Sequence, residues 1–378
     1  MAATTQQFTP LNAYVGFDTI TQQIEKKSLK RGFQLNVMVV GQTGLGKSTL
    51  VNTLFASHLI DSKGRKSAEQ YQKRQTTKIE SVSHNIEENG VRLRLNIIDT
   101  PGYGDQINND DCWEPIVKYI KDQHSAYLRK ELTAQREKTI QDNRVHCCLY
   151  FITPSGHSLK PIDIIVLKKL VEVVNVIPVI AKADSQTPEE RAAFKQRINE
   201  ELANNNIHLY PYDNEEDYDE EERALNKSVR ELLPFAVVGS EKQVVVDGKS
   251  YIGRQSRWGT VLVEDPDHCE FIHLRNFLTR THLQDLIETT AMIHYETFRA
   301  NQLLAIKSAT TSSPAPSHNN NNYSEVANHS NINNSSNVQY ITTRSSPVMS
   351  DYAAPTQSSA VSASSSTGIP AKVFPPFA

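Results

Sequence analysis

Cysteine is scarce in this sequence, charge of either sign is not in large excess, and long apolar runs are missing. The four cysteines, at positions 112, 147, 148 and 269, lack the spacing of metal ligands, so we expect reduced and mostly buried thiols in a cytosolic protein. No apolar run is long enough to span a bilayer, and the first residues lack the apolar core of a secretory leader. We therefore expect a soluble or peripheral protein.

Apolar residues are also few for a chain of 378 residues, because only 38% of them are hydrophobic. Part of the chain is therefore predicted to be unfolded. Residues 308–378 fit this description, since Ser, Asn, Thr, Ala and Pro dominate them and offer too little apolar surface to offset chain entropy. The formal net charge of −3 excludes an overall basic field for nucleic acid, so any anion-binding surface must be local.

Residues 41–48, Gly-Gln-Thr-Gly-Leu-Gly-Lys-Ser, fit the phosphate-binding P-loop pattern at every fixed position. An apolar run at residues 35–40 predicts a buried strand before the loop, and a helical pattern follows it; a chance match would rarely have both flanks. The glycines let backbone amides point inward and the helix adds the positive end of its dipole, which favours a polyphosphate. The predicted ligands are Gly41, Gln42, Thr43, Gly44, Leu45, Gly46, Lys47, Ser48 and Thr49.

A second motif, Asp-Thr-Pro-Gly at residues 99–102, follows an alternating strand pattern. In an open α/β sheet, ligands bind at the carboxyl ends of the strands, so this motif is expected beside the P-loop. Ser48 and Asp99 are then predicted to hold Mg²⁺, and the Gly102 amide to sense the γ-phosphate. Lys47 is expected to meet the outer phosphates.

Two further positions bear on hydrolysis. The residue after Gly102 is Tyr103, where a fast Ras-like GTPase carries Gln, so turnover without help is predicted to be slow. A polar loop that begins at residues 61–67 ends in Thr76 and Thr77, either of which can offer Mg²⁺ a hydroxyl when a γ-phosphate is bound. The pattern alone leaves the choice between the two threonines open.

A third motif, Ala-Lys-Ala-Asp at residues 181–184, ends a predicted strand and indicates a preference for guanine. The Asp184 carboxylate can accept hydrogen bonds from the ring N–H and the exocyclic amine of guanine, whereas adenine has no such pair of donors. The stem of Lys182 can lie over the base. The common GTPase version of this motif begins with Asn, so Ala181 lacks a side chain that could brace the P-loop, and base affinity must rely more on other contacts.

Strand and helix patterns alternate along the chain, which predicts the three-layer α/β fold of P-loop GTPases with a mostly parallel sheet. Residues 32–241 form this core, and residues 242–307 a smaller α/β element with short β segments and a long helical region. Residues 1–31 are predicted to be a flexible N-terminal segment. Predicted strands lie at residues 35–40, 91–97, 145–152, 176–180 and 235–238, and predicted helices at residues 113–141 and 163–173.

A short basic cluster, Lys26, Lys27, Lys30 and Arg31, precedes the first strand. One interpretation is a solvated helix end capped by Gly32, where cations are favourable. The other is attraction to anionic lipid head groups.

These motifs together resemble the septin family, over about residues 14–307. The resemblance implies that Gly239 and Arg254 contact guanine. It also implies that Thr76 is the threonine tied to Mg²⁺ and hydrolysis, so that Thr76, Lys47 and Gly102 form the predicted catalytic set. The resemblance is carried by the basic cluster, residues 181–184, 237–240 and 253–254, and the block from residues 258–259 to residues 281–286.

Similarity to septins also implies a role between subunits for three residues. His157 and Glu190 would reach a nucleotide bound in the neighbouring subunit, with Trp258 in the same contact. Without the resemblance, His157 would be interpreted as an exposed loop histidine and Glu190 as part of an acidic first helical turn.

The absence of a sustained heptad after residue 300 resembles the short-tailed septins, such as the fungal cell-division type. The resemblance implies a slow GTPase that binds GTP or GDP with Mg²⁺. Its subunits would assemble with other septins into hetero-oligomers and filaments at the cell cortex and division site, and act in cytokinesis and septation. Two alternatives remain: a monomeric signalling GTPase switch, and a septin-like scaffold that binds nucleotide without hydrolysing it.

Overall fold

A computed structural model gives the fold of most of the first 311 residues. All described residues fall within one compact unit. The predicted disordered tail began at residue 308, but residues 308–311 are helical, and residues 312–378 lie outside the described residues. The structure describes residues 16, 19–57, 59–60, 79–103, 109, 111–133, 140–212, 218–257 and 259–311.

Helices and strands alternate through most of the described chain. The helices are α1 (Thr19–Arg31), α2 (Lys47–Leu54), α3 (Glu114–Leu132), α4 (Pro161–Val171), α5 (Pro188–Asn204), α6 (Glu220–Leu232), α7 (Phe271–Asn276), α8 (Leu283–Thr289) and α9 (Glu296–Thr311). The strands are β1 (Phe33–Gly41), β2 (Glu80–Glu88), β3 (Val91–Asp99), β4 (Cys147–Ile152), β5 (Asn175–Ile180), β6 (Phe235–Ala236), β7 (Gln243–Val246), β8 (Lys249–Ser256) and β9 (Gly259–Leu262). Short π-helical segments join α7 to α8 and α8 to α9.

The central sheet has the strand order β2-β3-β1-β4-β5-β6. All neighbouring strands pair in parallel except β2, which is antiparallel to β3 at the edge. Every residue of β4 and β5 is buried, as expected for strands covered on both faces. The α/β P-loop GTPase fold predicted from the sequence is confirmed.

The register of this sheet brings the ends of several strands to one edge. Val39 of β1 lies opposite Asp99 of β3, and Gly41 lies opposite Phe151 of β4. The loops that follow these strands therefore meet at the carboxyl edge of the sheet. Predicted site residues from distant parts of the sequence are brought together there.

A second, antiparallel sheet contains β7, β8 and β9. Its first hairpin turns at Asp247 and Gly248, both with positive φ. The helices α7 to α9 follow it. None of the described helices combines the length and the apolar composition needed to span a bilayer.

The structure differs from the sequence prediction at the N-terminal segment. Residues 19–31, which we predicted to be flexible, form α1. The helix buries no side chain, so its sequence lacks the apolar period that would have revealed it. Gly32 ends it with a φ of +75°, and its N–H donates to the carbonyl oxygen of Ser28 at 2.9 Å. The four basic side chains of the cluster are exposed on this helix and its last turn.

Two other elements depart from the predicted pattern. Strand β2 was missed because most of its residues are exposed, although the Asn89-Gly90 turn before β3 is a hairpin signal. Helix α3 ends at Leu132, before the end of the predicted helix at residues 113–141, and residues 140–146 enter β4 without helical structure.

Candidate functional site

The loop between β1 and α2 wraps around the amino end of α2. Gly46 has a φ of +91°, a conformation that glycine adopts without strain, and it directly precedes the helix. The side chain of Lys47 is only 9% exposed. Its ammonium group donates to the carbonyl oxygens of Gly41 at 3.0 Å and Gln42 at 3.1 Å. The loop is thus a concave backbone with a cation held against it, which suits a bound phosphate chain.

Asp99, at the end of β3, lies beside this loop. Its Oδ2 is 3.5 Å from the hydroxyl oxygen of Ser48, and its buried Oδ1 receives no hydrogen bond from the described residues. Burial raises the pKa of Asp99, while the charge of Lys47 and the Ser48 hydroxyl act in the opposite direction. A carboxylate with a free buried oxygen next to a hydroxyl fits Mg²⁺, which prefers oxygen ligands. Ser48 and Asp99 are therefore suited to hold this ion.

The described residues contain no group of three or more His, Cys, Asp and Glu side chains that could hold a metal ion by themselves. A Mg²⁺ ion at Ser48 and Asp99 would then share its coordination with phosphate oxygens and water, which is its usual manner of binding.

Residues 99–103 pack against the P-loop. A Cβ atom on Gly102 would lie 2.1 Å from the Oγ1 and 2.6 Å from the backbone nitrogen of Thr43, so only glycine fits. The hydroxyl of the buried Thr100 donates to the carbonyl oxygen of Val39 at 2.8 Å. Tyr103 forms a parallel bridge with Gln42. The Gly102 amide thus lies against the loop that would hold the phosphates.

A cavity of about 510 Å³ extends from the P-loop along the carboxyl edge of the sheet. Gly239 brings the chain after β6 close to α2, because a Cβ atom here would lie 3.0 Å from the Cα atom of Leu50. Seven of the residues that line the cavity are predicted nucleotide ligands: Gly44, Leu45, Gly46, Thr49, Lys182, Gly239 and Arg254.

Asp184 and Arg254 form an ion pair next to this cavity. One guanidinium nitrogen of Arg254 lies 2.8 Å from Oδ2 and 3.1 Å from Oδ1 of Asp184. The Asp184 side chain is 17% exposed and that of Arg254 44%. The carboxylate can accept from the N–H groups of guanine while the guanidinium offers donors to its O6 and N7. The sequence predicted both residues as nucleotide ligands but did not predict their ion pair.

The sequence analysis also missed two residues that hold the side chain of Gln42. The hydroxyl of Thr153 and the ammonium group of Lys160 donate to its Oε1 at 3.0 and 2.8 Å. Both follow the carboxyl end of β4, the sheet edge at which ligand-binding residues were expected. Their position after β4 could therefore have identified them from the sequence.

Tyr103 does not face the cavity. Its side chain is only 4% exposed, and its hydroxyl contacts that of Tyr150 and lies 3.2 Å from Oδ1 of Asp163. The position that carries a water-orienting Gln in fast GTPases is therefore occupied here by a side chain that points into the protein.

Two predicted site residues lie away from the cavity. His157 is exposed in the loop after β4. Glu190 is exposed at the start of α5, where its carboxylate accepts from the Thr187 N–H at 3.0 Å in a capping box. The predicted residues Thr76, Thr77 and Trp258 lie outside the described residues.

Comparison with known proteins agrees with this geometry. The chain matches the family described as Septin over residues 31–312. It is 65% identical over 311 residues to septin homolog spn2 of Schizosaccharomyces pombe, covering 81% of this chain and 93% of that protein. It is 59% identical over 304 residues to cell division control protein 10 of Candida albicans, covering 80% of this chain and 84% of that protein.

A solved structure is similar as well. The crystal structure of the septin GTPase domain from Chlamydomonas reinhardtii matches with a TM-score of 0.53 and 26% sequence identity, covering 71% of this chain and 98% of that chain. The resemblance drawn from the sequence motifs is thereby confirmed. The chain belongs to the septin family of guanine-nucleotide-binding proteins.

Proposed function

We propose that this septin binds GTP or GDP with Mg²⁺ at the carboxyl edge of its sheet and hydrolyses GTP slowly. The observation that carries the proposal is the convergence of three features on one region. These are the P-loop with Lys47, the free oxygen of Asp99, and the ion pair of Asp184 with Arg254.

Each feature has a separate task in this proposal. The amides of the P-loop and Lys47 bind the phosphates, the Gly102 N–H donates to the γ-phosphate, and Asp184 selects guanine. Ser48 and Asp99 hold Mg²⁺, which neutralises charge on the phosphate oxygens when it is bound. Thr76 completes the set as the threonine tied to Mg²⁺ and hydrolysis.

A second candidate function is a scaffold that binds nucleotide without hydrolysing it. The inward side chain of Tyr103 favours it, because that position then offers no group to orient water. A single-turnover assay of wild type and Thr76→Ala separates the two. A measurable release of phosphate that Thr76→Ala abolishes supports the slow GTPase, whereas equal and negligible release in both supports the scaffold.

Assembly is the second part of the proposal. We infer that the protein forms hetero-oligomers and filaments with other septins, through faces around the nucleotide and faces that include the terminal helices. The exposure of His157 and Glu190 supports a contact on the nucleotide side. Large exposed apolar side chains on and before α9, Met292 (74% exposed) and Leu304 (64% exposed), support a contact at the terminal helices.

The cellular role follows from this assembly and from the relatives named for cell division. The filaments would form part of the cytoskeleton at the cell cortex and division site and act in cytokinesis and septation. We propose that the four exposed cations of α1 touch anionic lipid head groups; the alternative is the favourable interaction of cations with a helix carboxyl end.

Chromatography with mass detection, followed by extraction of any bound nucleotide, tests the assembly. We expect a species larger than the monomer that carries GDP or GTP, because the nucleotide forms part of the subunit contact. A monomer that carries guanine nucleotide would instead support the signalling switch. An empty monomer would overturn both.

A further inference from the structure

Tyr103, Tyr150 and Asp163 form a buried polar cluster directly behind residues 99–103. Their side chains are at most 4% exposed. The Tyr150 hydroxyl lies 2.8 Å from Oδ1 of Asp163, and the Tyr103 hydroxyl 3.2 Å from the same oxygen. Two phenols from different elements therefore share one carboxylate oxygen.

Both phenols keep their protons in this environment. Burial, together with the charge of Asp163, raises the pKa of Tyr103 and of Tyr150 far above the ordinary value. Each hydroxyl therefore remains a donor at physiological pH. A carboxylate acceptor strengthens such bonds relative to a neutral one.

Asp163 connects this cluster to the start of α4 and from there to the P-loop. Its Oδ2 accepts from the backbone N–H of Lys160 at 3.3 Å, which caps α4. The side chain of Lys160 donates to Gln42 at 2.8 Å, and Gln42 bridges back to the backbone of Tyr103. The contacts thus form a closed ring that begins and ends at Tyr103.

Core packing alone does not explain why residue 103 carries a hydroxyl group. Filling the core requires the aromatic ring, which Phe would supply equally well. The hydroxyl adds a bond that fixes the side chain in one direction. Tyr103 directly follows Gly102, and the backbone of Gly102 lies against Thr43 of the P-loop.

We propose that the hydroxyl of Tyr103 is a positioning group that holds the Gly102 amide in place for the γ-phosphate, and so favours GTP over GDP. This inference rests on the proposed nucleotide site. Tyr103 itself does not touch the nucleotide. It acts by restricting residues 102–103, so that the amide needs little ordering when the triphosphate binds.

The test compares Tyr103→Phe with Tyr210→Phe in the full-length chain after removal of co-purified nucleotide. Tyr210 is also fully buried and its hydroxyl also bonds a carboxylate, that of Asp285. Among the described residues, the ring of Tyr210 contacts the rings of Tyr212, Phe277 and His282, none of which belongs to the P-loop. Both variants remove from a buried tyrosine one hydroxyl oxygen that bonds a carboxylate.

Calorimetry would measure the affinity for GDP and for a slowly hydrolysed GTP analogue, both with Mg²⁺. In Tyr103→Phe we expect the analogue to bind about three- to tenfold more weakly, the range that one lost hydrogen bond allows, with GDP affinity nearly unchanged. In Tyr210→Phe we expect the ratio of the two affinities to stay within about twofold of wild type. Thermal unfolding of both variants shows whether their loss of stability is similar.

Hydrogen exchange at residues 102–103 in the nucleotide-free protein provides a second measurement that does not depend on binding. We expect faster exchange in Tyr103→Phe and no change in Tyr210→Phe. If Tyr103→Phe fails to fold, Asp163→Asn tests the same ring and should lower the preference for the triphosphate in the same direction.

The outcomes separate this inference from the proposed function. If wild type binds neither nucleotide, the proposal of a nucleotide site is wrong, and the positioning role of Tyr103 is wrong as well. If wild type binds both, while Tyr103→Phe leaves the affinity ratio and the exchange rates unchanged, only the positioning role is wrong. A similar loss of preference in Tyr210→Phe would show a general effect of stability and would also overturn it.

Discussion

Two polar side chains at opposite ends of the parallel strands, Asp99 and Asn175, differ in the hydrogen-bond partners of their buried atoms. At the carboxyl ends, the Oδ1 of Asp99 is buried without a hydrogen bond from the described residues. Toward the amino ends, the amide of Asn175 donates to the carbonyl oxygens of His146 and Leu286 at 2.9 and 3.1 Å, and its Oδ1 lies 3.0 Å from Nε2 of His294.

This difference separates a ligand site from a structural network. Buried polar groups in folded proteins are nearly always hydrogen-bonded, so an unpartnered oxygen at a sheet edge indicates a group that the chain itself does not supply. Asn175 has all its partners within the chain and needs none from outside. Changes at the two ends should therefore affect different properties of the protein.

Asn175→Ala should produce the largest effect. It removes the hydrogen bonds of this side chain to the carbonyl oxygens of His146 and Leu286, to the hydroxyl of Thr290 and to the ring of His294, and it opens a cavity. We expect the free energy of unfolding to fall by about 3 kcal/mol in urea denaturation. The affinity for GTP should change by less than about twofold, and a large loss of affinity would contradict the division between the two ends.

Lys47→Ala should show the reverse pattern. Removing the ammonium group should weaken GTP binding by about 10- to 100-fold in calorimetry, since bonds to a charged donor contribute about 1.5–3 kcal/mol. The free energy of unfolding of the nucleotide-free protein should change little. Lys195→Ala is a matched control, because this partly buried lysine pairs with Glu270 at 2.6 Å and should affect stability alone.

The structural network should also confer sensitivity to acid. Burial lowers the pKa of His294 to about 4, against an ordinary value of 6.5 in the unfolded chain. The unfolded chain therefore binds more protons in this window, so stability is full above pH 6.5 and falls as the pH drops toward 4.

His294→Gln isolates this contribution. Between pH 6.5 and 5, wild type should lose about 1–2 kcal/mol more of its unfolding free energy than the variant does. Equal slopes in wild type and His294→Gln would contradict the proposed burial of a neutral ring.

Arg254→Ala should have the smallest effect. The ion pair with Asp184 is partly exposed and contributes little to stability, about 0–1 kcal/mol. The ratio of GTP to ATP affinity should fall by about three- to tenfold, because donors to the purine are lost. Arg254→Lys keeps the charge but not the planar group, and should restore only part of the ratio.

The sequence predicted best those parts of the site that are local in the chain. The P-loop and the motifs at residues 99–102 and 181–184 each place their groups within a few residues, next to a strand whose apolar pattern is clear. A short backbone segment at a known sheet edge determines their position. For this reason the amino-acid pattern alone is enough to place Lys47, Asp99 and Gly102 together.

Contacts between distant residues could not be predicted in this way. Lys160 and Gln42 are 118 residues apart and Arg254 and Asp184 70 apart, so their pairing depends on how the whole sheet and its helices pack. The inward direction of Tyr103 was missed for the same reason. A motif gives the residue type at a position but not the direction of its side chain.

We propose that the carboxyl edge of the sheet is a guanine-nucleotide site. Calorimetric titration of the nucleotide-free chain with GTP and with ATP, each with Mg²⁺, is the decisive experiment. We expect GTP to bind at least about 100-fold more tightly than ATP, because Asp184 finds paired donors only on guanine. Equal affinities for the two nucleotides, or binding of neither, would contradict it.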